Sequence, residues 1–448
     1  MGEENEYGFV ALVNGEPNAD RTTEYIAKIR PVSWLYAGAR FWCENGCCYY
    51  QDINEHPECT TPECLTGKQV AGYSRWSEYA LADLVGAALV GAPKSHKLLL
   101  VKNNVSVASN KTYGCNENYL TQRQLSFDDV IAPKLMAFLV TRILWAGAGN
   151  VVATRSGGWR LEVSQRARHL QADVSFGTTT ATARAIVNTR DEPLADKELY
   201  RRLHLICGDV NVLWTPSWLK YDIMALMLLM LENNELRHVP KLADPVSSLH
   251  RLSRDWNTSL QLDDGSTTNA VAIQRFYLKC AWDFAAKHGL TDQKEALSLL
   301  GEILDNFASK DLDANIGQVD WVTKGLQRLK SKTGQRLTLK QAQAKDLDYH
   351  VVCGGKGSMQ VVRELYDPPE TAEWVARCAT AAPNNRAAAR TRFVKAARSS
   401  KRNVTVNWER LAVQKPALKG EDNGWWFVEV KDPFQNKNRA VDELIKRL

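Results

Sequence analysis

Short runs of apolar residues recur along the chain, separated by clusters of glycine, proline, asparagine and aspartate. Runs of this kind that are bounded by turn residues are typical of β-strands. The continuous apolar run KLLLVK is typical of a buried strand. The pattern therefore predicts strands over residues 6–13, 47–52, 97–102, 404–408 and 425–430.

Other segments repeat their apolar residues every three to four positions, which is the spacing of an amphipathic helix. Asp244 followed by Pro245 is typical of a helix start, because aspartate caps the first turn and proline fits its first position. The pattern predicts one helix that begins at Pro245 and further helices over residues 22–37, 74–91, 291–310 and 385–402.

This mixture of elements predicts an α+β fold with a mostly antiparallel sheet. With 448 residues, 44% of them hydrophobic, the chain is long enough for more than one domain and can bury a real core. From GGKG at 354–357 onward, loops such as DPPE and AAPNN separate short segments. We therefore predict a large domain over residues 1–360 and a small C-terminal α+β domain over 361–448.

Composition and charge argue against several classes of function. The net charge of +6 is mild for this length, so we expect no nucleic-acid partner. The longest clean apolar stretch, 223–231, is too short to span a bilayer, and the acidic start MGEENEYG does not resemble a secretory signal. The ten cysteines lack the dense spacing of a secreted disulfide framework. We expect a cytoplasmic protein with reduced thiols and no membrane partner.

Oxygen-bearing side chains are concentrated near two of the predicted strands. Side chains at positions i and i+2 of a strand point to the same face. The two acids of the first strand therefore share a face, and so do the tyrosine and aspartate of the second. If these strands are neighbours, four or five oxygen ligands converge from the set Glu4, Glu6, Tyr50, Asp52, Glu58 and Glu63.

Such a cluster suits a hard cation. Mg²⁺ prefers oxygen ligands and usually sits between carboxylates and nucleotide phosphates, and one carboxylate can remain free to act as a base. The spacing alone is equally consistent with acids that line a solvated strand face. A zinc site is a weaker alternative, because the spacing C-x₃-CC followed by C-x₄-C matches known zinc patterns poorly; its cysteines would be Cys43, Cys47, Cys48, Cys59 and Cys64.

Later segments are rich in Arg, Lys, Asn and Glu, the residue types that contact phosphate groups. The chain contains no P-loop and no G-x-S-x-G elbow, so a nucleotide would have to be held on a sheet. YRRLH directly precedes LICGD, which has the pattern of a strand. The phosphate-type segments are KNN (102–104), TYGCNENY (112–119), SQRARH (164–169), NTRDEP (188–193) and YRRLH (200–204).

Taken in order, these motifs resemble the Pup ligase and Pup deamidase family. The ordered set runs from Met1 to the C-terminus and covers nearly the whole chain. It consists of MG-x-E-x-EYG, Y-x-D-x₃-HPE-x-x-T-x-EC, KNN…YG-x-x-ENY, FLVTR…GAG, SQRA-x-H, NTRDEP-x-AD…YRRLH-x-x-x-GD-x-N and KDPF…AVDE.

The resemblance implies a glutamine-synthetase-like core with a curved sheet that cradles ATP and Mg²⁺, and a small C-terminal domain that completes the nucleotide site. In the ligase, ATP phosphorylates the side-chain carboxylate of the C-terminal glutamate of Pup, a small protein modifier. A lysine of a target protein then attacks the acyl phosphate to form an isopeptide bond. The implied partners are a Pup-like modifier and lysine-bearing proteins, and the implied state is a monomer.

The roles of the family's residues can be carried to matching positions. The resemblance implies that Asp52 is the catalytic base that deprotonates the incoming lysine. The implied magnesium ligands are Glu4, Tyr50 and Glu58, and the implied ATP contacts are Thr61 and Trp408. Possible helpers at the metal and the phosphates are Glu6 and Arg190. His204 is a further possible helper, catalytic or linked to the metal, and is equally consistent with a hydrogen-bonded structural histidine.

The ligase branch is favoured over the deamidase branch. The deamidase carries an extra loop between its first acidic strand and the Tyr-x-Asp strand, and the distance from Met1 to Asp52 has no room for it. Two alternatives stay open: a hydrolase of the same fold that removes the modifier or deamidates it, and a catalytically weakened homologue that binds the modifier or nucleotide and regulates a partner.

Several positions depart from the family pattern. Cys48 stands where the family has an arginine that contacts ATP, and loss of one charged hydrogen bond costs roughly 1.5–3 kcal/mol. Asn116 and Leu194 replace family histidines, and Trp214 lies in a segment where the family has Ser-Glu-Thr. The basic run 386–402 is predicted to be either a grip for an acidic partner or a solvated helix face.

Overall fold

Strands and helices alternate along the chain, and nine of the twenty described strands join one large sheet. The structure is a computed structural model that describes residues 1–52, 56–106, 111–176, 183–330, 335–416 and 424–448. Its strands are β1 (Gly2–Glu6), β2 (Gly8–Val13), β3 (Glu16–Pro17), β4 (Leu35–Ala37), β5 (Arg40–Trp42), β6 (Cys48–Gln51), β7 (Pro57–Thr60), β8 (His96–Val101), β9 (Cys115–Gln122), β10 (Asn150–Ala153), β11 (Trp159–Glu162), β12 (Ala172–Ser175), β13 (Ala185–Asn188), β14 (Tyr200–Leu205), β15 (Leu260–Gln261), β16 (Thr267–Thr268), β17 (Val351–Cys353), β18 (Val404–Val406), β19 (Arg410–Gln414) and β20 (Trp425–Glu429).

Helices lie between and after these strands. They are α1 (Ala19–Lys28), α2 (Gly67–Ala88), α3 (Ala132–Thr141), α4 (Ile143–Ala146), α5 (Trp214–Glu232), α6 (Pro245–Arg254), α7 (Ala270–His288), α8 (Lys294–Ala308), α9 (Asp320–Thr323), α10 (Leu339–Tyr349), α11 (Ser358–Tyr366), α12 (Glu370–Thr380), α13 (Arg386–Arg398) and α14 (Arg439–Ile445). Single π or 3₁₀ turns occupy Phe127–Ile131, Ala167–His169, Asp313–Asn315 and Lys324–Arg328.

In the described ranges, nine strands form the large sheet in the order β12-β13-β14-β9-β1-β7-β6-β5-β4. Each neighbouring pair is antiparallel except β12 with β13. Smaller sheets are built from β17-β8-β2-β3 and from β18-β19-β20. The predicted α+β class with a mostly antiparallel sheet is confirmed.

The two faces of the large sheet differ because of the alternation in β1. Glu3 and Asn5 point to the face that helices cover, where both are buried. The amide of Asn5 donates a hydrogen bond to Ser74 of α2 at 3.1 Å, and the hydroxyl of Tyr221 of α5 donates to Glu3 at 2.5 Å. Glu4 and Glu6, between and after them, point to the opposite face, which carries the candidate site.

An extensive apolar core lies behind the covered face. It is formed mainly by α3, α5, α7 and α8. The four residues of α8 that share a helix face are all buried there, namely Leu297, Leu300, Leu304 and Phe307. Across the residues that the structure describes, none of the helices combines the length and the apolar character needed to cross a membrane.

Two sequence predictions had wrong limits. The strand predicted over 6–13 is two strands in different sheets, β1 and β2, with Tyr7 between them. Tyr7 is fully buried, and its N–H donates to the carbonyl of Pro57, so the chain changes sheet there. The helix predicted over 22–37 ends at Lys28. Pro31 disfavours helix at the residue before it, and the chain then enters β4.

Other predicted elements are confirmed. Strands occur at β6, β8, β18 and β20, and helices at α2, α8 and α13. Helix α2 begins earlier than predicted, because the side chain of Thr66 caps it by accepting the N–H of Gln69. Asp244 caps α6 as predicted, accepting the N–H of Ser247. The strand predicted over LICGD was wrong: β14 is Tyr200–Leu205, so YRRLH itself is the strand.

The basic segment 386–402 is a solvated face only in part: some of its basic residues, such as Arg392 and Lys395, are exposed, and others are buried. Helix α13 turns Arg386 and Arg390 inward, where both are buried and paired with Glu63. Further along the segment, Arg398 pairs with Glu44. The other side of α13 packs with α14 and β18-β19-β20 in an apolar cluster that also receives residues from β4, β5 and β6.

Candidate active site

The acids predicted from the sequence meet through strand register. Glu6 of β1 lies directly opposite Glu58 of β7, and Glu58 lies opposite Tyr50 of β6. Directly opposite residues of an antiparallel pair point to the same face. The three side chains therefore form a row across the sheet, and the hydroxyl of Tyr50 donates a hydrogen bond to Glu58 at 2.6 Å.

A second row runs beside the first. Glu4 lies opposite Thr60, and Thr60 lies opposite Cys48. On its other side Glu4 faces Asn116 of β9, whose amide donates a long, weak hydrogen bond to it at 3.5 Å. Asn116, which replaces a family histidine, thus lies beside Glu4. The structure brings all three predicted magnesium ligands, Glu4, Tyr50 and Glu58, onto one face of the sheet.

The carboxylates on this face repel one another. Burial, together with the charges of Glu4, Glu6 and Asp52, raises the pKa of Glu58 to about 9. Burial likewise raises the pKa of Glu6. A carboxylate with like charges around it is disfavoured, and a bound cation would offset that cost.

The donor set fits a magnesium ion in kind. It offers two carboxylates and a phenol oxygen, and Mg²⁺ usually takes only one or two protein carboxylates, with phosphates and waters completing its shell. No three Cys, His, Asp or Glu side chains within the described ranges are placed to hold a metal by themselves. The zinc alternative therefore finds no support, and all ten cysteines are free thiols.

Asp52 follows Tyr50 by two residues and lies at the end of the same strand. The N–H of His56 donates to its carboxylate at 2.7 Å, and the N–H of Asp52 donates to the carbonyl of His56 at 3.1 Å. Residues 53–55 lie outside the described ranges. The charge of Asp52 acts on both Glu6 and Glu58, so the predicted base and the predicted metal ligands are neighbours.

A cavity of about 350 Å³ opens beside these acids. Its polar wall comes from the sheet, its apolar wall comes from α5, and residues of the C-terminal segment close it. The sheet contributes Glu4, Thr60, Thr61, Asn118 and Arg202; α5 contributes Ala225, Leu228 and Leu229; the C-terminal segment contributes Arg386, Trp408, Pro433 and Phe434.

Both residues predicted to contact ATP line this cavity. Thr61 is buried, and its hydroxyl oxygen accepts the N–H of Glu3 at 3.0 Å, which leaves the hydroxyl hydrogen to donate. Trp408 packs edge-on against Trp42 with ring centres 5.1 Å apart. The guanidinium of Arg390 lies 4.7 Å from the centre of the Trp408 ring.

The predicted helpers differ in their placement. Glu6 lies in the acidic row. His204 lies opposite Asn118 of β9, and neither of its ring nitrogens has a hydrogen-bond partner among the described residues. Burial lowers its pKa to about 4, with nearby arginines including Arg190 and Arg202 adding to the effect, so the ring is neutral at pH 7. Arg190 is exposed and pairs with Glu192 at 2.9 Å.

Glu63 does not belong to the acidic cluster, contrary to the sequence prediction. Its carboxylate pairs with Arg386 at 2.8 Å and with Arg390 at 2.5 Å. Burial opposes ionisation, but these two guanidiniums hold the pKa of Glu63 well below its usual range. The strand alternation carried no sign of this, because the partners lie more than 300 residues away in α13.

Some lining residues were missed. Arg202 lies in the cavity wall. It is on the same face of β14 as His204, because the side chains of the strand YRRLHL alternate between its two faces. The YRRLH motif was a usable signal, but the strand was placed one segment too late. Leu228 of α5 and Phe434 of the KDPF motif had no signal of a binding role in their own patterns.

The other departures from the family pattern also have definite places. Cys48 is fully buried in the second row. Leu194 lines the cavity, has a left-handed backbone with φ of 50°, and offers its carbonyl to Arg386 at 2.6 Å. Trp214 is buried at the start of α5, where its N–H donates to Asp367 at 3.0 Å.

Comparisons with known proteins agree on one family. The family model described as "Pup-ligase protein" matches residues 14–412. A Pup–protein ligase of Acidimicrobium ferrooxidans is 34% identical over 99% of this chain and 97% of its own length. The Pup–protein ligase of Mycobacterium leprae is 35% identical, with 100% of this chain and 98% of the relative covered.

Solved structures give the same result. The ligase PafA in a crystal structure of its complex with the prokaryotic ubiquitin-like protein Pup matches with a TM-score of 0.87 and 29% identity, over 99% of this chain and 91% of that one. The Pup ligase PafA in complex with ADP matches with a TM-score of 0.79 and 30% identity, over 95% and 93%. The resemblance found from the sequence is confirmed, and the chain belongs to the Pup-ligase family.

Proposed function

We propose that this protein is an ATP-dependent ligase that joins the C-terminal glutamate of a Pup-like modifier to a lysine of a target protein. The observation that carries the proposal is similarity along the entire chain to relatives named Pup–protein ligases. The ligase is preferred to the deamidase for the same reason. The acidic rows and the adjoining cavity supply a site of the required kind.

The cavity would hold the nucleotide. Its apolar wall from α5 suits a base, and its polar end reaches Glu4 and Thr60 of the acidic rows. In this orientation the phosphates point toward Glu4, Tyr50 and Glu58, which would hold Mg²⁺. When bound there, the ion would neutralise phosphate charge. The solved structure of the related ligase PafA in complex with ADP supports nucleotide binding by this protein.

Asp52 would act as the general base. A free lysine has a pKa of about 10.4, so at neutral pH only a small fraction is nucleophilic. Asp52 lies at the edge of the acidic rows, and its carboxylate is oriented by the N–H of His56. It would take a proton from the incoming ammonium group as the amine attacks the acyl phosphate of the modifier. The bond to phosphate breaks and the isopeptide bond forms.

Intact-protein mass spectrometry tests the proposal. The purified protein is mixed with ATP, Mg²⁺, a Pup-like protein that ends in glutamate, and a lysine-bearing acceptor protein. A new species at the summed mass minus water is the expected result. Cleavage of a preformed conjugate without net synthesis would instead identify the hydrolase alternative. If neither synthesis nor cleavage is observed, the result favours the regulatory homologue. The cytoplasmic location and the monomeric state stay predictions.

A further inference from the structure

One arginine outside the predicted site residues, Arg40, faces the acidic rows. Arg40 begins β5, which pairs with β6 through Phe41 opposite Tyr49 and Trp42 opposite Cys48. Continuing this register by one residue places Arg40 opposite Tyr50, on the face that carries Tyr50 and Glu58. The guanidinium carbon lies 5.1 Å from the centre of the Tyr50 ring.

The guanidinium of Arg40 has unused hydrogen-bonding capacity. Among the described residues it has no hydrogen-bond or ion-pair partner, and the side chain is half-buried. Two other arginines close to the site are already paired, Arg390 with Glu63 and Arg190 with Glu192, and Arg202 of the cavity wall lies 3.9 Å from Glu192. Arginine presents five N–H donors in a planar fork that fits phosphate or carboxylate oxygens.

Arg40 also lies close to Cys48 in the second row. Burial raises the pKa of the Cys48 thiol to about 12, while the positive charges of Arg40 and Arg390 oppose that rise. Cys48 lies in one row with Thr60 and Glu4, which both line the cavity. The guanidinium of Arg40 therefore lies beside the two acidic rows, toward which the phosphates would point.

We propose that Arg40 binds a phosphate oxygen of the nucleotide and is a positioning residue for the triphosphate. This inference rests on the proposed function. A phosphate is favoured over the carboxylate of the modifier because Arg40 neighbours Cys48, whose row reaches the cavity through Thr60 and Glu4. Asp52, where the modifier and the lysine would meet, lies two residues beyond Tyr50. Arg40 would thus supply positive charge close to Cys48, whose own side chain carries none.

Calorimetry with Arg40→Gln tests the proposal. In the presence of Mg²⁺ we expect ATP and ADP to bind at least about tenfold more weakly than to the wild type, the scale of one charged hydrogen bond. Adenosine, which has no phosphate, should bind equally to both proteins. Arg40→Lys should recover part of the loss. Arg410→Gln is the matched control, because Arg410 also lies over an aromatic ring, 4.0 Å from the centre of Phe427, in the C-terminal sheet.

The outcomes separate this inference from the proposed function. ATP affinity equal to the wild type in Arg40→Gln would overturn the role of Arg40 while the ligase proposal stands. A higher KM for the modifier with unchanged ATP affinity would assign the guanidinium to the modifier's carboxylate and overturn it as well. Failure of the wild type to bind ATP would overturn both. Circular dichroism and thermal unfolding of each variant confirm that the fold is retained.

Discussion

The charges around single carboxyl groups explain why the candidate site would favour a bound cation. Glu58 lies between Tyr50 and Glu6 in one row, and Glu4 and Asp52 are close enough to raise its pKa. The identities of these residues follow from strand alternation in the sequence. Their mutual distances do not, because the three strands are separated by loops and are joined only through pairing.

Replacing Asp52 tests the assignment of the base. In Asp52→Asn we expect the rate of conjugation to fall by at least about 100-fold, the usual contribution of a general base, because the amide cannot accept the lysine proton. ATP affinity should stay within about twofold, which calorimetry measures. Asp283→Asn, in an exposed ion pair with Lys279, is the control and should react like the wild type. Conjugation at the wild-type rate in Asp52→Asn would refute the assignment.

Stability should depend on pH through Glu58. Its pKa in the folded protein is raised from 4.5 to about 9, so the folded protein binds this proton more tightly than the unfolded chain does. The stabilisation is fully present below pH 4.5 and is lost as the pH rises through 9, with a slope of at most about 1.4 kcal/mol per pH unit. Without Mg²⁺, the free energy of unfolding should therefore fall between pH 5 and pH 9.

Glu58→Gln should flatten this dependence, since the amide does not titrate. Added Mg²⁺ should raise the thermal midpoint of the wild type at pH 8 and should have a smaller effect on the variant. Urea unfolding at several pH values, with EDTA or with Mg²⁺, measures both effects. Parallel pH profiles for the two proteins would show that Glu58 is not the responsible group.

Secondary-structure elements bring these residues into register and tie the C-terminal segment to the sheet. The loop after β7 carries Glu63, which holds α13 through Arg386 and Arg390. The sequence predicted the helix and its basic character correctly, but periodicity within α13 cannot name a partner more than 300 residues away. For the same reason, the sequence did not show that the strand is YRRLHL rather than LICGD. The pairing of β14 with β9 shows it.

Glu63→Gln should destabilise this junction. Loss of the carboxylate leaves two buried guanidiniums without their counter-charge, and we expect the free energy of unfolding to fall by about 3 kcal/mol. Urea unfolding at pH 7 measures the loss. Glu373→Gln is the control, because its pair with Arg377 is exposed on both sides and should matter by less than about 1 kcal/mol.

Acid should reproduce the effect in the wild type. The pKa of Glu63 is held below its ordinary value of 4.5, so its stabilisation is present above that value and is lost as the pH falls further. The difference in stability between wild type and Glu63→Gln should therefore shrink below pH 4. A difference that stays constant down to pH 3 would contradict the role given to this carboxylate.

At the scale of the whole molecule, the cavity is made by parts of the chain that lie far apart in sequence. The sheet, α5 and the segment around Trp408 and Phe434 each form one wall. The division at residue 360 stays a prediction. Around that boundary, Asp367 and Glu370 pair with Arg75 and Lys68 of α2, at 2.6 Å and 3.0 Å, so contacts cross it.

Filling the cavity should block the nucleotide. Ala225 of α5 lines the cavity of about 350 Å³, and Ala225→Phe would place a ring inside it. ATP and adenosine should both bind at least about tenfold more weakly, because the lost space is that of the base. This pattern differs from that expected for Arg40→Gln, which spares adenosine. Ala286→Phe, on the exposed side of α7, is the control. Unchanged binding of adenosine to Ala225→Phe would place the base elsewhere.

The amino-acid sequence by itself determined the α+β class, most elements, the face that each acid occupies on its own strand, and the family. These properties depend on side-chain spacing within one element or on ordered motifs, so they can be read locally. Only the tertiary structure decided that Glu63 leaves the cluster, that Arg202 and α5 line the cavity, and that Arg40 faces Tyr50. Each of these depends on register or packing between distant segments, which is fixed by the cooperative burial of the whole chain.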